Sequence, residues 1–423
     1  MIIKNGRIID PASGMDRIAD LKIQGNKIVA IQDSIQESGE GHEEIIDAAG
    51  LVIAPGLIDV HVHFRDPGFT HKEDIKTGAA AAKKGGYTTV ICMANTKPAI
   101  DNKETLSYVL EHGKETGIHV LAAATVSKGL KGTELVEMKE LAAAGAAGFT
   151  DDGIPIMDVR LLREAMGQAK KLGMPISLHE EDPSLITNNG VNRGKVSEAL
   201  GIGGSPSEAE ISLVKRDLEL ACETGAILNI QHISAAESVE AVRQAKQKNA
   251  DIHAEATPHH FSLTEEAVLK NGTLAKMNPP LRTEEDRQAI IKGLQDGTID
   301  IIATDHAPHS IEEKQKPITE APSGIIGLET ALALGITNLV QTGYLSLSEL
   351  LEKMTIQPAR LYNLEAGAIQ EDAVADLVLF AEKEQWTVER FVSKSENSPF
   401  TGMTLSGKVK YTICEGKCVY QDV

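Results

Sequence analysis

The chain has 423 residues, with 42 basic and 61 acidic side chains and a formal net charge of −19. Its 42% apolar content is enough for a large buried core and excludes a disordered chain. The negative balance, with only 7 Phe, 6 Tyr and 1 Trp, excludes a nucleic-acid binder built on a basic stripe and stacked rings, and it disfavours anionic membrane surfaces.

No apolar run approaches the roughly 18 residues of a membrane span. The start, Met1-Ile2-Ile3-Lys4-Asn5-Gly6, lacks the basic-then-apolar pattern of a signal peptide. Cys92, Cys222, Cys414 and Cys418 are too few for a disulfide framework, and the last two read as structural thiols. The expectation is a cytoplasmic protein.

In chain order, residues 1–9, 20–23 and 27–31 are short β-type runs separated by Gly, Asn and Pro punctuation. The end of the chain has the same texture at 375–380, 409–414 and 417–420. β-rich ends around a different middle predict one small β domain assembled from both termini, residues 1–54 with 366–423. Between them, eight apolar strand-like runs (57–63, 88–95, 119–126, 147–151, 175–179, 226–233, 252–257 and 299–305) alternate with helical patterns at 72–84, 106–115, 134–144, 159–171, 208–223 and 238–248. Such alternation means a parallel sheet, and eight units in this length fit a closed (β/α)8 TIM-like barrel over 55–365. The expected fold is therefore α/β, a barrel with a small β-sandwich from both termini. One long irregular stretch, 306–324, is rich in charge and Pro and is a candidate lid.

In such barrels chemistry gathers where strands end. Strand one ends in His61-Val62-His63, whose spacing of two puts both imidazoles on one face. Strand four ends in Asp151-Asp152-Gly153, strand five in His179-Glu180-Glu181-Asp182, strand six in Gln231-His232 and strand eight in Asp305-His306, followed by His309. Any one of these has an ordinary reading as a satisfied polar residue or a turn former. Their coincidence at one end of apolar strands does not, because converging carboxylates and imidazoles are costly to bury without a cation. Imidazole and carboxylate without thiolate suit Zn²⁺ first, with Mn²⁺, Co²⁺ or Fe²⁺ as other choices. Six ligands exceed the needs of one catalytic zinc, so two ions sharing a carboxylate ~3.5–4 Å apart use them better. The implied reaction is hydrolysis, or its reverse, at a carbonyl.

The run from Pro55 through His61-Val62-His63-Phe64-Arg65-Asp66-Pro67-Gly68 resembles the signature of the amidohydrolase superfamily, and specifically of the class I dihydroorotases. Met93-Ala94-Asn95-Thr96, Thr150-Asp151-Asp152-Gly153, His179-Glu180-Glu181-Asp182, Thr257-Pro258-His259-His260, Asn278-Pro279-Pro280-Leu281-Arg282 and Thr304-Asp305-His306-Ala307-Pro308-His309 agree with it. The resemblance implies reversible cyclisation of N-carbamoyl-L-aspartate to L-dihydroorotate in pyrimidine synthesis, with two Zn²⁺ per chain. By the same resemblance His61, His63 and Asp305 would hold one ion, His179 and His232 the other, and Asp152 would bridge them. The sequence leaves open whether Asp151 is the bridge instead. Asp305 would also be the acid and base. His63, Arg65, Asn95 and His309 would contact the substrate, Arg65, Asn95 and His309 at its α-carboxylate. Asn278 would bond its ring, and Ser323 and Gly324 would add contacts from the chain. Ala94 and Ser323 depart from the family pattern, which commonly has Pro and an aromatic there.

A homodimer, and association with aspartate transcarbamoylase, are further expectations from the resemblance. Two other readings compete: a cyclic amidase of the allantoinase or dihydropyrimidinase type, and a non-catalytic scaffold subunit of aspartate transcarbamoylase. The first usually carries a bridging lysine, absent from the end of strand four here, and the second characteristically loses metal ligands. His42, His71, His112, His119 and His253 read as surface or core residues, and His259 and His260 as supporting groups.

Overall fold

A computed structural model describes residues 1–36 and 44–422; His42 lies outside them. Both ends of the chain build one eight-stranded sheet. Its strands are β1 (Ile2–Asp10), β2 (Met15–Gln24), β3 (Lys27–Gln32), β4 (Ile45–Asp47) and β5 (Val52–Pro55) from the start, with β13 (Leu377–Thr387), β14 (Thr404–Cys414) and β15 (Lys417–Gln421) from the end. The order is β15-β14-β13-β5-β1-β2-β3, with β4 beside β1. The two halves meet where β13 runs antiparallel to β5, pairing Leu377 with Pro55 and Phe380 with Val52. Ile3, Ile8, Leu21, Ile53, Leu379 and Ile413 form a core of their own on this sheet.

The middle of the chain supplies eight staves. β6 (Leu57–Val62), β7 (Tyr87–Cys92) and β8 (His119–Ala122) form one parallel ladder. β9 (Ile176–Leu178), β10 (Leu228–Ile230), β11 (Ile252–Ala256) and β12 (Ile301–Ile302) form a second. Phe149 bridges the two, pairing in parallel with Ala124 and with Ile176. On the other side Val62 pairs in parallel with His306, and the His63 amide donates to the His306 carbonyl at 2.9 Å, which closes the ring. The result is a (β/α)8 barrel. Its strands are buried on both faces, which explains their unbroken apolar runs.

The fourth stave differs from its expectation over 147–151: it is held by bridges at Phe149 rather than by a regular ladder. Gly148 packs against Tyr362 and Pro175, where a Cβ would lie 2.9 Å from the Tyr362 ring. Helix starts follow their caps. The expected helix at 72–84 begins at Ile75, because Asp74 and Thr77 form a capping box there. Asn102 caps helix Lys103–Lys114, three residues earlier than the apolar pattern at 106–115 indicates. Segment 306–324 contains a short helix, Ile311–Lys314, and a second long irregular stretch, 180–206, has only short helical turns. Among the described residues, no helix is long and apolar enough to cross a membrane.

Candidate active site

The carboxyl ends of the staves converge on a cavity of about 200 Å³. Of the site residues expected from sequence, His63, Arg65, Asn95, Asp152, His179, His232, Asn278, Asp305, His309, Ser323 and Gly324 line it, while His61 lies fully buried beneath. A larger groove, about 570 Å³, runs between helices Ser207–Thr224 and Ala236–Lys246, but no comparable set of imidazoles and carboxylates faces it.

Asp152 stands at the centre. Its Oδ1 is 3.4 Å from His61 Nε2, 3.8 Å from His232 Nε2 and 3.9 Å from His179 Nδ1, and its Oδ2 is 3.5 Å from His63 Nε2. Burial opposes its charge, but His61 and the other imidazoles hold its carboxyl well below the ordinary range. Asp305 faces the same group, with Oδ1 3.1 Å from His63 Nε2 and 3.6 Å from His61 Nε2. It too is held low, by His63 and His61 against the effect of burial. Asp151 turns the other way. It accepts the amides of Val126 at 2.7 Å and Ser127 at 3.1 Å, together with the Ser127 hydroxyl. Burial raises its carboxyl to about 6.

Within the cavity two groups of described residues have the spacing of a metal site, His61–Asp152–His232 and His61–His63–Asp305, each with ligand atoms within 4.8 Å of one another. His179 belongs to neither; its Nδ1 lies 2.9 Å from His232 Nε2. The residues fit a divalent cation. The buried Nε2 of His61, which faces Asp152 and Asp305, has no hydrogen-bond partner, and the donors are the imidazole and carboxylate types that zinc and its neighbours take. Arg65, His232 and Asp305 have positive φ angles of 60°, 32° and 48°, a strained backbone for residues with side chains and a common mark of functional positions.

At the outer wall, Arg65 Nε donates to the Pro308 carbonyl at 3.2 Å, and Arg65 Nη2 is 3.4 Å from His309 Nε2. His309 Nε2 donates to the Ser323 carbonyl at 2.8 Å, so its Nδ1 is left to accept from Lys72 Nζ at 3.4 Å. Burial, and then Arg65 and Lys72, keep this imidazole neutral by driving its pKa down. The side-chain oxygens of Asn278 and Ser323 are buried without a partner. Asn95 is engaged within the site: Oδ1 pairs with His63 Nδ1 at 2.9 Å and Nδ2 donates to Asp152 Oδ2 at 3.2 Å.

Four supporting residues escaped the sequence reading. Glu255, inside β11, holds His61 Nδ1 at 3.0 Å; the signal was a lone carboxylate within an apolar strand. Lys276 Nζ donates to the carbonyls of Ile318 and Ala321, both at 2.7 Å, and Lys314 Nζ to those of Pro322 at 2.9 Å, Gly324 at 3.0 Å and Lys276 at 3.4 Å. Asn397, from the end of the chain, donates to the carbonyls of Ala307 and Gly324, each at 3.0 Å. Only the fold brings these residues to the mouth.

Comparison with known proteins shows the family and the fold. The profile of the Amidohydrolase family matches residues 52–419. The chain is 60% identical over 420 residues to a dihydroorotase of Clostridioides difficile (strain 630), covering 99% of each chain. It is 54% identical over 424 residues to a dihydroorotase of Clostridium acetobutylicum, covering 100% of both. In structure it is similar to L-hydantoinase (dihydropyrimidinase) from Arthrobacter aurescens, with TM-score 0.89, 27% identity and coverage of 99% of this chain and 96% of that one. Dihydropyrimidinase from Brevibacillus agri NCHU1002, at TM-score 0.85 and 23% identity over 99% of this chain and 95% of the other, shares the fold.

Proposed function

The chain belongs to the amidohydrolase family and, within it, to the dihydroorotases, and on that premise we propose that it interconverts N-carbamoyl-L-aspartate and L-dihydroorotate with two zinc ions at the barrel mouth. The observation that carries this reading is the meeting of Asp152 and Asp305 with four imidazoles beside the Arg65 guanidinium. His61, His63 and Asp305 would hold one ion, His179 and His232 the other, with Asp152 shared. Its central position among the imidazoles supports Asp152 over Asp151 for that role. When bound, two such cations polarise a carbonyl and bring the pKa of water from 15.7 towards ~7.

The chain's own groups do the rest. In hydrolysis the ring C–N bond breaks and a C–O bond forms. Asp305 takes the proton of the attacking water and delivers it to the leaving nitrogen; in cyclisation it moves the proton back. A carboxylate held in its ionised form is ready to accept that proton. Arg65 offers a planar fork to the α-carboxylate. His309 Nε2–H, now given to the Ser323 carbonyl, is a second donor beside it. The free oxygen of Asn278 suits a ring N–H, and the backbone around Ser323 and Gly324 completes the wall. Asn95 holds the His63 ring as well as facing the cavity.

We take the barrel as 55–365 and the β unit as 1–54 with 366–423, a division supported by their separate sheets. A cytoplasmic homodimer is the state we propose, to be read by sedimentation; association with aspartate transcarbamoylase is to be read by co-sedimentation. The experiment for the reaction is a side-by-side assay of the zinc-loaded protein with L-dihydroorotate, allantoin and dihydrouracil. Turnover of dihydroorotate alone is expected. Turnover of either of the others without it would replace this reading with that of a cyclic amidase of the allantoinase or dihydropyrimidinase type.

A further inference from the structure

A second meeting of ligand-type side chains lies at the seam between the barrel and the terminal sheet. His119 opens β8, Asp376 directly precedes β13, and Cys414 ends β14. Their ligand atoms lie within 4.8 Å of one another. His119 Nε2 is 2.9 Å from Asp376 Oδ2, and Asp376 Oδ1 accepts the Glu415 amide at 2.7 Å. The Cys414 thiol donates to the Thr88 carbonyl at 3.9 Å. Cys414 is buried, the Asp376 side chain is 12% exposed and the His119 side chain 35% exposed, so one edge of the group reaches solvent.

Three chain segments far apart in sequence thus deliver one imidazole, one carboxylate and one thiol to a common point. That donor set suits a borderline divalent ion of the zinc class and disfavours the hard cations Mg²⁺ and Ca²⁺. The exposed edge at His119 leaves room for a water as fourth ligand. The local charge is unbalanced towards the negative: besides burial, Asp376 and Glu415 resist ionisation of the Cys414 thiol. A cation would cancel that opposition and draw the thiolate to itself.

We propose that His119, Asp376 and Cys414 bind a single zinc-class divalent ion that staples β8 of the barrel to the terminal sheet. Binding forms one bond each to nitrogen, oxygen and sulfur. It releases the thiol proton, and the imidazolium proton where His119 is charged, to solvent. The site is independent of the barrel mouth and of the reaction proposed there. Without a metal, His119 and Asp376 share their hydrogen bond beside a thiol that burial and Asp376 keep protonated, and the two states have different spectra.

The test uses the full chain, stripped of metal and reloaded with Co²⁺. The donors at the barrel mouth include no cysteine, so a thiolate-to-cobalt charge-transfer band in the near ultraviolet reports the seam. The expected result is a band in the parent protein that survives Cys92→Ser and vanishes in Cys414→Ser and in His119→Ala. Each of those two variants also loses one metal equivalent per chain while keeping its turnover of dihydroorotate. If Cys414→Ser fails to fold, Asp376→Asn is read in the same way. Absence of the band in the parent, or its persistence in Cys414→Ser, overturns the proposal. Because the readout is spectroscopic, it stands whether or not the assay with dihydroorotate succeeds.

Discussion

Glu255 Oε2 lies 3.0 Å from His61 Nδ1, with both side chains fully buried. The bond keeps the Nδ1 proton turned to Glu255 and leaves Nε2 facing Asp152 and Asp305, so Nε2 is the nitrogen whose proton a bound cation would displace. Burial works against charge on this imidazole, but Asp152 and Glu255 outweigh it and raise the pKa well above the usual value. Asn229 Nδ2 donates to the other Glu255 oxygen at 2.5 Å and to Ser177 Oγ at 3.1 Å, which anchors the arrangement in the barrel interior. Glu255→Gln is expected to weaken zinc retention by about 10–100-fold. Zinc content after dialysis against a graded chelator measures it, and Glu255→Asp is expected to recover part of the loss.

Asp305→Asn removes the group assigned to proton transfer while keeping its shape. Turnover is expected to fall by at least about 10²-fold in both directions, with the circular dichroism spectrum unchanged. Near-normal rates would show that another group carries the proton.

The neighbouring aspartates make a matched pair of tests. Asp152→Ala is expected to bring zinc below two per chain by elemental analysis. Asp151→Ala is expected to spare the metal but to destabilise the fold by about 1–3 kcal/mol, because the Val126 and Ser127 amides lose their buried acceptor. Thermal unfolding and metal content together separate the two. The reverse pattern would exchange their roles.

Arg65→Ala is expected to weaken binding of carbamoyl aspartate by about 2–3 kcal/mol, the size of a lost charge-assisted contact. Arg65→Lys is expected to restore little, since an ammonium cannot reproduce the planar fork. Isothermal titration with the zinc-loaded chain measures both.

Lys314 is expected to make binding sensitive to pH. Its three backbone acceptors include the carbonyls of Pro322 and Gly324, on either side of Ser323. Burial first, and Lys276 second, lower its pKa to about 7, with Glu313 acting in the opposite direction. The protonated form donates three hydrogen bonds and the neutral amine two. The wall is therefore held most firmly below about 7 and loosens as the pH rises through that value. KM for dihydroorotate is expected to rise across neutral pH, whereas Lys314→Met gives a high KM without that inflection. A parallel rise in both proteins would assign the titration elsewhere.

Much of the barrel was legible because its strands are buried on both faces and read as unbroken apolar runs, and because its polar residues fall at their ends. The expected helices were legible to within a few residues, and caps account for two of the differences: Asp74 and Asn102 start helices where the apolar pattern alone does not. Helix Glu284–Asp296 was missed, although Thr283 and Asp286 spell a capping box at its start. Asp151 and Asp152 could not be told apart from sequence, since chemistry and spacing are shared and only the path of the backbone turns one inward. Glu255, Lys276 and Lys314 lie beside or within segments the sequence did mark, but nothing local shows that they turn to the site, and Asn397 comes from a segment with no motif. The meeting of His119 with Cys414 depends on how the terminal sheet docks, which no local pattern records.

The pairing of β5 with β13 also bears on how the chain emerges from the ribosome. During synthesis β1 to β5 can form at once, but the rim of β5 has no neighbour until nearly the whole polypeptide has been made. A nascent chain therefore carries an unsatisfied row of peptide groups, open to aggregation, throughout elongation of the barrel. Premature termination before Leu377 would leave that rim bare for good.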